Sequence, residues 1–183
     1  MFDEILKFWF FEVNSDAWFK KDDSFDNTIR DKFGKLYGDA CIGKIDNWKN
    51  EPRSCLALII ILDQFSRNLF RNDAKAFAQD IKALEITNHA LSNEYIEKYS
   101  SDERLFALLP LIHSENIADH ELASRLRDKF LRDHPRHDNI KKFWDDHKIP
   151  IEKFARYPHR NVARGWKSTE EEIKFLDSPN SSW

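Results

Sequence analysis

The sequence predicts an all-α protein, a tetratricopeptide-like array of roughly eight to ten helices in one compact domain. Three observations carry the all-α reading. Only four Gly and six Pro occur in 183 residues, too few for a sandwich or barrel with many tight turns. Apolar residues recur at helical spacing along most of the chain. The one continuous apolar run has no second strand candidate to pair with. The length favours one domain, and at this size a core buries roughly 70% of the surface the unfolded chain exposes. Hydrophobic residues make up 41% and aromatics 14% of the chain, enough for a core built on large rings.

Phe2 to Glu12 reads as a short aromatic helix with Ile5, Phe8 and Trp9 on one face. Asp22 or Asp23 caps the next helix, where Phe25, Ile29, Phe33, Leu36 and Ala40 follow at spacings of 4, 4, 3 and 4 until Gly43. Asp46 to Glu51 is a connector carrying Trp48. Pro52 then suits the first turn of a helix through Leu56–Leu62 to Asn68. Asn72-Asp73 breaks the pattern. Ala76, Phe77, Ile81, Leu84 and Ala90-Leu91 predict a helix to about Asn93. Ser101 is the expected cap of a helix with Leu105, Leu108, Leu109 and Ile112 inward, kinked by Pro110 just before His113. A helix over Asp119–Leu131 follows. Asp138–Lys148 and Ile151–Arg156 read as one helix bent at Pro150, or as two. Ser168 with Glu171, or Thr169 with Glu172, forms a capping box for a last short helix.

Charge and cysteine content exclude several function classes. With 29 basic and 32 acidic residues the net charge is −3, so no global basic field exists to hold a nucleic acid backbone. Cys41 and Cys55 make neither a disulfide scaffold nor a four-cysteine zinc site. The N-terminus lacks a basic leader, and its apolar run is too short to span a membrane. The expectation is a cytoplasmic protein. No Walker motif, Gly-rich dinucleotide loop, Gly-x-Ser-x-Gly elbow or Cys-x-x-Cys occurs, so no cofactor is expected.

Three polar patches stand out against the apolar segments. The first is Asp63-Gln64-Phe65-Ser66-Arg67-Asn68. Asp63 precedes Arg67 by four residues, the favourable order for a helical ion pair, and Gln64 precedes Asn68 likewise. Stripes that are apolar upstream turn polar here without leaving their face. Such residues either leave the core at a helix end or point into an internal cleft. The second patch is His113-Ser114-Glu115-Asn116. His113 and Glu115 are two apart and converge only if the helix ends there. No recognised metal-ligand spacing accompanies them, and no metal is expected. The third patch is Arg156-Tyr157-Pro158-His159-Arg160-Asn161. Pro158 forbids a smooth helix through Tyr157, and arginine forks on a non-helical turn form a site for carboxylate or phosphate.

These patches, with Trp18-Phe19-x-Lys21, Phe25-Asp26, Ala76-Phe77-Ala78-x-Asp80 and Ser168-Thr169-x-Glu171 in the same order, resemble the domain of unknown function 924 family along essentially the whole chain. The resemblance implies a mainly bacterial, all-helical, tetratricopeptide-like protein. It implies no reaction. Ser66 stands where that family commonly has proline, and Ala155 and Asn180 where it commonly has glycine.

The expected function is an internal polar cleft binding a small anionic ligand through Asp63, Gln64, Arg67, Asn68, His113, Glu115, Arg156, His159, Arg160 and Asn161. In it Arg67, Arg156 and Arg160 hold the anion. His113 and His159 supply hydrogen bonds or proton transfer, and Asp63 and Glu115 orient the histidines and arginines. The rival is a groove that captures a peptide or its carboxylate. Metal-assisted hydrolysis by His113, Glu115, His159 and Asp63 ranks third. The bland alternative is that the same residues only lock helices together.

Overall fold

The computed structural model describes residues 1–179 and Ser181. Asn180, whose side chain tolerates a left-handed turn, lies outside the described residues, as do Ser182 and Trp183. The chain is all-helical, with no strand among the described residues. The helices are α1 (Phe2–Lys7), α2 (Asp23–Cys41), α3 (Pro52–Ile60), α4 (Ser66–Leu69), α5 (Asp80–Ser92), α6 (Ser101–His113), α7 (Ile117–Phe130), α8 (His137–Phe154) and α9 (Glu170–Leu176).

The apolar run of α3 is the axis of the core. Leu56 to Leu62 are entirely buried, because α3 packs against α1, α5 and α6. A helix apolar all round is stable only when it is covered all round. Aromatic rings join the layers: Trp9 of the N-terminal segment meets Phe65 at 5.7 Å and Phe106 of α6 at 5.3 Å. The later helices pack in sequence, α6 on α7 and α7 on α8. That neighbour-to-neighbour packing is compatible with a tetratricopeptide-like array.

The helix ends differ in detail from the sequence expectations. Ser100, not Ser101, caps α6, and it makes a full capping box with Glu103; the Ser100 N–H donates to the Glu103 carboxylate at 2.8 Å. Asn116 starts α7 by accepting from the Ala118 N–H, so that helix begins two residues before Asp119. α8 runs as one helix through Pro150. Of the two capping boxes expected for α9, the one formed is Thr169 with Glu172. The segment Ala74–Phe77 is a separate 3-10 turn before α5, so the helix expected from Ala76 begins at Asp80. Gly43 follows α2 with φ +81°; a side chain there would also meet Asp46 Oδ2 at 3.0 Å.

Two π-helical turns interrupt packed helices. Phe8–Glu12 extends α1, and Ile61–Phe65 joins α3 to α4. The second carries Asp63 and Gln64. π turns widen the helix and re-aim side chains, and they recur at functional sites. Ser66 follows it, its hydroxyl donating to the Leu62 carbonyl at 2.6 Å.

Candidate anion-binding cleft

A cavity of about 770 Å³ opens between the π turn, the end of α6, α8 and the Pro158–Arg160 turn. It is lined by Gln64, Arg67 and Asn68 from the first patch, His113 from the second, and His159 and Arg160 from the third. Helix breaks explain the convergence. α6 ends at His113, and the backbone turns extended at Ser114. The His113 carbonyl, which has no helical donor there, accepts from Arg160 Nη2 at 3.1 Å. Tyr157 holds the third patch in place, its hydroxyl donating to the Ile112 carbonyl.

Carboxylates stand behind the cationic wall. Arg67 bridges Asp80 with both terminal nitrogens, at 3.0 and 3.2 Å, and lies 3.3 Å from Asp63 Oδ1. Arg160 reaches the same Asp80 at 3.1 Å and lies over the rings of Phe77 and Tyr157 at 4.6 and 4.4 Å. Asp63 is fully buried; Gln64 Nε2 donates to its Oδ2 at 2.6 Å, and His113 Nδ1 meets its Oδ1 at 2.7 Å. Asn68 Nδ2 donates to Asp26 at 2.8 Å, and Arg71 makes a two-pronged pair with the same carboxylate.

These contacts set the protonation states. Burial pushes the Asp63 carboxyl up, but His113 and Arg67 outweigh it and hold it below the ordinary carboxylate range. Burial and the Arg67 charge push the His113 imidazole down, against the pull of Asp63. The consistent state at neutral pH is an ionised Asp63 accepting from a neutral ring. Nδ1 then carries the proton, and Nε2 carries the basic lone pair. Burial also lowers His147 well below its ordinary value. His159 falls to about 3, through burial and then through Arg160 and Arg67. The cations at the cleft are therefore Lys20, Lys21, Arg67, Arg71 and Arg160, and among the described lining residues no carboxylate accompanies them.

Four of the sequence-chosen residues do not line the cleft. Asp63 sits behind Arg67 and His113, as an orienting carboxylate would. Glu115 accepts from the Tyr157 N–H at 3.1 Å and pairs with Arg164 at 2.8 Å, with Arg160 at 3.8 Å. Arg156 turns away from the cleft. Its Nε and Nη2 pair with Glu172 at 2.6 and 2.8 Å. Asn161 joins that second cluster, donating to Ser168 at 3.1 Å and Glu172 at 3.3 Å. The reason is local: Pro158–Arg160 is a 3-10 turn, so residues on either side of it leave in different directions. Sequence reasoning did not select Asp80, Asp26, Arg71, Lys20, Lys21 or His147. Asp80 and Asp26 belong to motifs noted only as family features, and nothing in their spacing ties them to Arg67 or Asn68. Among the described residues, no three His, Cys, Asp or Glu side chains are arranged to hold a metal ion.

A family model described as bacterial protein of unknown function (DUF924) matches residues 5–180. The chain belongs to this family. It is also similar to the solved structure of a protein of unknown function from Agrobacterium tumefaciens, with 33% identity, a TM-score of 0.88 and 96% of each chain covered. No curated protein matches the chain. No helix among the described residues of this DUF924 protein is long and apolar enough to cross a membrane.

Proposed function

We propose that this DUF924 protein binds a small anionic ligand in the cleft between Arg67 and Arg160. The observation that carries the reading is the one-sided charge: five cationic side chains line the cavity, and the carboxylates that hold Arg67, Arg71 and Arg160 lie behind. Arginines already anchored to a buried acid are pre-positioned, so binding immobilises little further side chain. Arg67, Arg71 and Arg160 are each matched to an acid, as in a helix lock, but no carboxylate is among the described lining residues, and Lys20 and Lys21 add charge on the cavity side. The His113 lone pair adds a hydrogen-bond acceptor or proton acceptor, which is open to use if the ligand is transformed. Free thiols at Cys41 and Cys55 suit a reducing cytoplasm. The net charge of −3 argues against nucleic acid as the partner.

The test is a thermal-shift and calorimetric titration with inorganic phosphate and small carboxylates at two salt concentrations. Ligand at a hundredfold excess over Kd adds about 2.7 kcal/mol to folded-state stability. The gain should shrink in Lys20→Gln/Lys21→Gln, whose exposed side chains hold no helix together. No stabilisation by any anion would sink the reading. Exposed Phe19 and Val162 at the same cavity favour a second reading, a peptide whose terminal carboxylate enters the cleft. It predicts that peptides with a free C-terminus bind more tightly than their amidated forms and outcompete phosphate.

A further inference from the structure

A second cavity, about 320 Å³, lies beside the first and is lined by Leu105 and Leu109 of α6, Ile140 and Trp144 of α8, and Ser15, Asp16, Arg136 and Asn139 nearer the surface. Phe19 and Phe143 line both cavities. Their rings, 5.7 Å apart, form the shared wall. The two chambers differ in chemistry. The first presents guanidinium and ammonium groups. The second is floored by buried Leu105, Leu109, Ile140 and Trp144. Its one guanidinium, Arg136, is engaged by Asp102 at 3.1 Å and lies over Trp18, and exposed Asp16 opposes a second anion there.

We infer that the ligand is an amphipathic anion, with its carboxylate or phosphate head between Arg67 and Arg160 and an unbranched apolar tail passing Phe19 and Phe143 into the second cavity. This deepens the anion reading and rests on it. The charge pattern sets the polarity: a head cannot sit beside Asp16 as favourably as beside five cations, and a tail gains nothing among guanidinium groups. Half-exposed Phe19, on the short segment before α2 and packed against Phe106 and Phe143, offers an aromatic face along the tail's path.

The experiment titrates the intact protein with acetate, butyrate, hexanoate, octanoate and octyl phosphate below their micellar concentrations, with 1-octanol as the neutral control. Affinity should rise about three- to fourfold per methylene until the second cavity is filled, for carboxylate and phosphate heads alike. Octanol should bind far more weakly. Asn139→Trp, placed at an exposed lining position, should abolish the chain-length gain while leaving acetate and phosphate binding unchanged. Equal affinity for acetate and octanoate overturns the tail inference but leaves the anion reading standing. A chain-length gain untouched by Asn139→Trp places the tail elsewhere and also overturns it. Octanol binding as tightly as octanoate, or no anion binding at all, defeats both.

Discussion

One hexapeptide, Arg156 to Asn161, supplies two regions that use arginine in opposite ways. Arg156 ends in a closed pair: both prongs meet Glu172, which also accepts from the Thr169 N–H at 2.7 Å. Arg160 ends in an open cluster, sharing Asp80 with Arg67 while lining the cleft. In the first region one acid satisfies one base and caps a helix. In the second, two guanidinium groups share Asp80, with Asp63 behind Arg67 and Glu115 behind Arg160, and no carboxylate is among the described residues that line the cavity. Ion pairing alone therefore does not distinguish a structural lock from a binding site. The ratio of cations to acids on the solvent-facing side does.

Removing Asp63 should have the largest effect. It is fully buried and meets Arg67, Gln64 and His113, so Asp63→Ala leaves a partly buried guanidinium and a buried ring with one partner fewer. We expect a loss of about 3–5 kcal/mol in urea unfolding. Glu172→Ala in the closed region should cost less, about 1–2 kcal/mol, since Arg156 is partly exposed and water can solvate it. It should leave anion binding unchanged. If Glu172→Ala weakened anion binding as much as Asp63→Ala, the separation of the two regions would be wrong.

Acid should act on the open region first. His113, His147 and His159 are all held below the ordinary imidazole value, burial being the main cause. The unfolded chain therefore binds protons on these rings at a pH where the folded chain does not. Above about pH 6.5 the rings are neutral in both states and add no pH dependence; below it the unfolded chain takes up protons first and stability falls. Glu172 behaves as a depressed carboxylate at about 2, chiefly through its hydrogen bond from Arg156; its contribution is full above about pH 4.3 and is lost below it. Unfolding followed from pH 7.5 to 3 should thus show a decline starting near 6.5, and Glu172→Gln should flatten only the part below 4.3.

The comparison also marks what was legible in the sequence. Periodicity exposed most of the helices, because half-burial on a helix leaves a 3.6-residue record; the continuous run Leu56–Leu62 has no period and reads as helix only because no second strand candidate exists to pair with it. The gathering of the patches was legible too, since Pro158 and the end of α6 at His113 announce breaks where side chains can turn inward. The division of labour was not. Arg156 and Arg160 sit in one motif, and only the 3-10 turn between them sends one outward. Asp80 reaches Arg67 across 13 residues and Asp26 reaches Arg71 across 45, separations at which no local pattern survives. The π turn at Ile61–Phe65 left no mark either, because the run that leads into it is apolar on every face and carries no period to be shifted.

The smallest expected effect lies on the seam between the two regions. Ala155 closes α8 with φ +54°, the left-handed conformation in which a Cβ crowds the following carbonyl. The family resemblance points to glycine at this position, and the backbone shows why. Ala155→Gly removes the clash but frees the unfolded chain, so the net gain should be about 1 kcal/mol or less, a rise of a few degrees in Tm. The next residue is Arg156, and the hexapeptide leaves the helix directly from this cap. If the ion pairs themselves direct Arg156 to Glu172 and Arg160 to Asp80, relieving the strain stabilises the fold and leaves anion affinity unchanged. A shift in anion affinity on Ala155→Gly would mean that the strained cap, rather than the ion pairs, sets how far Arg160 reaches into the cleft.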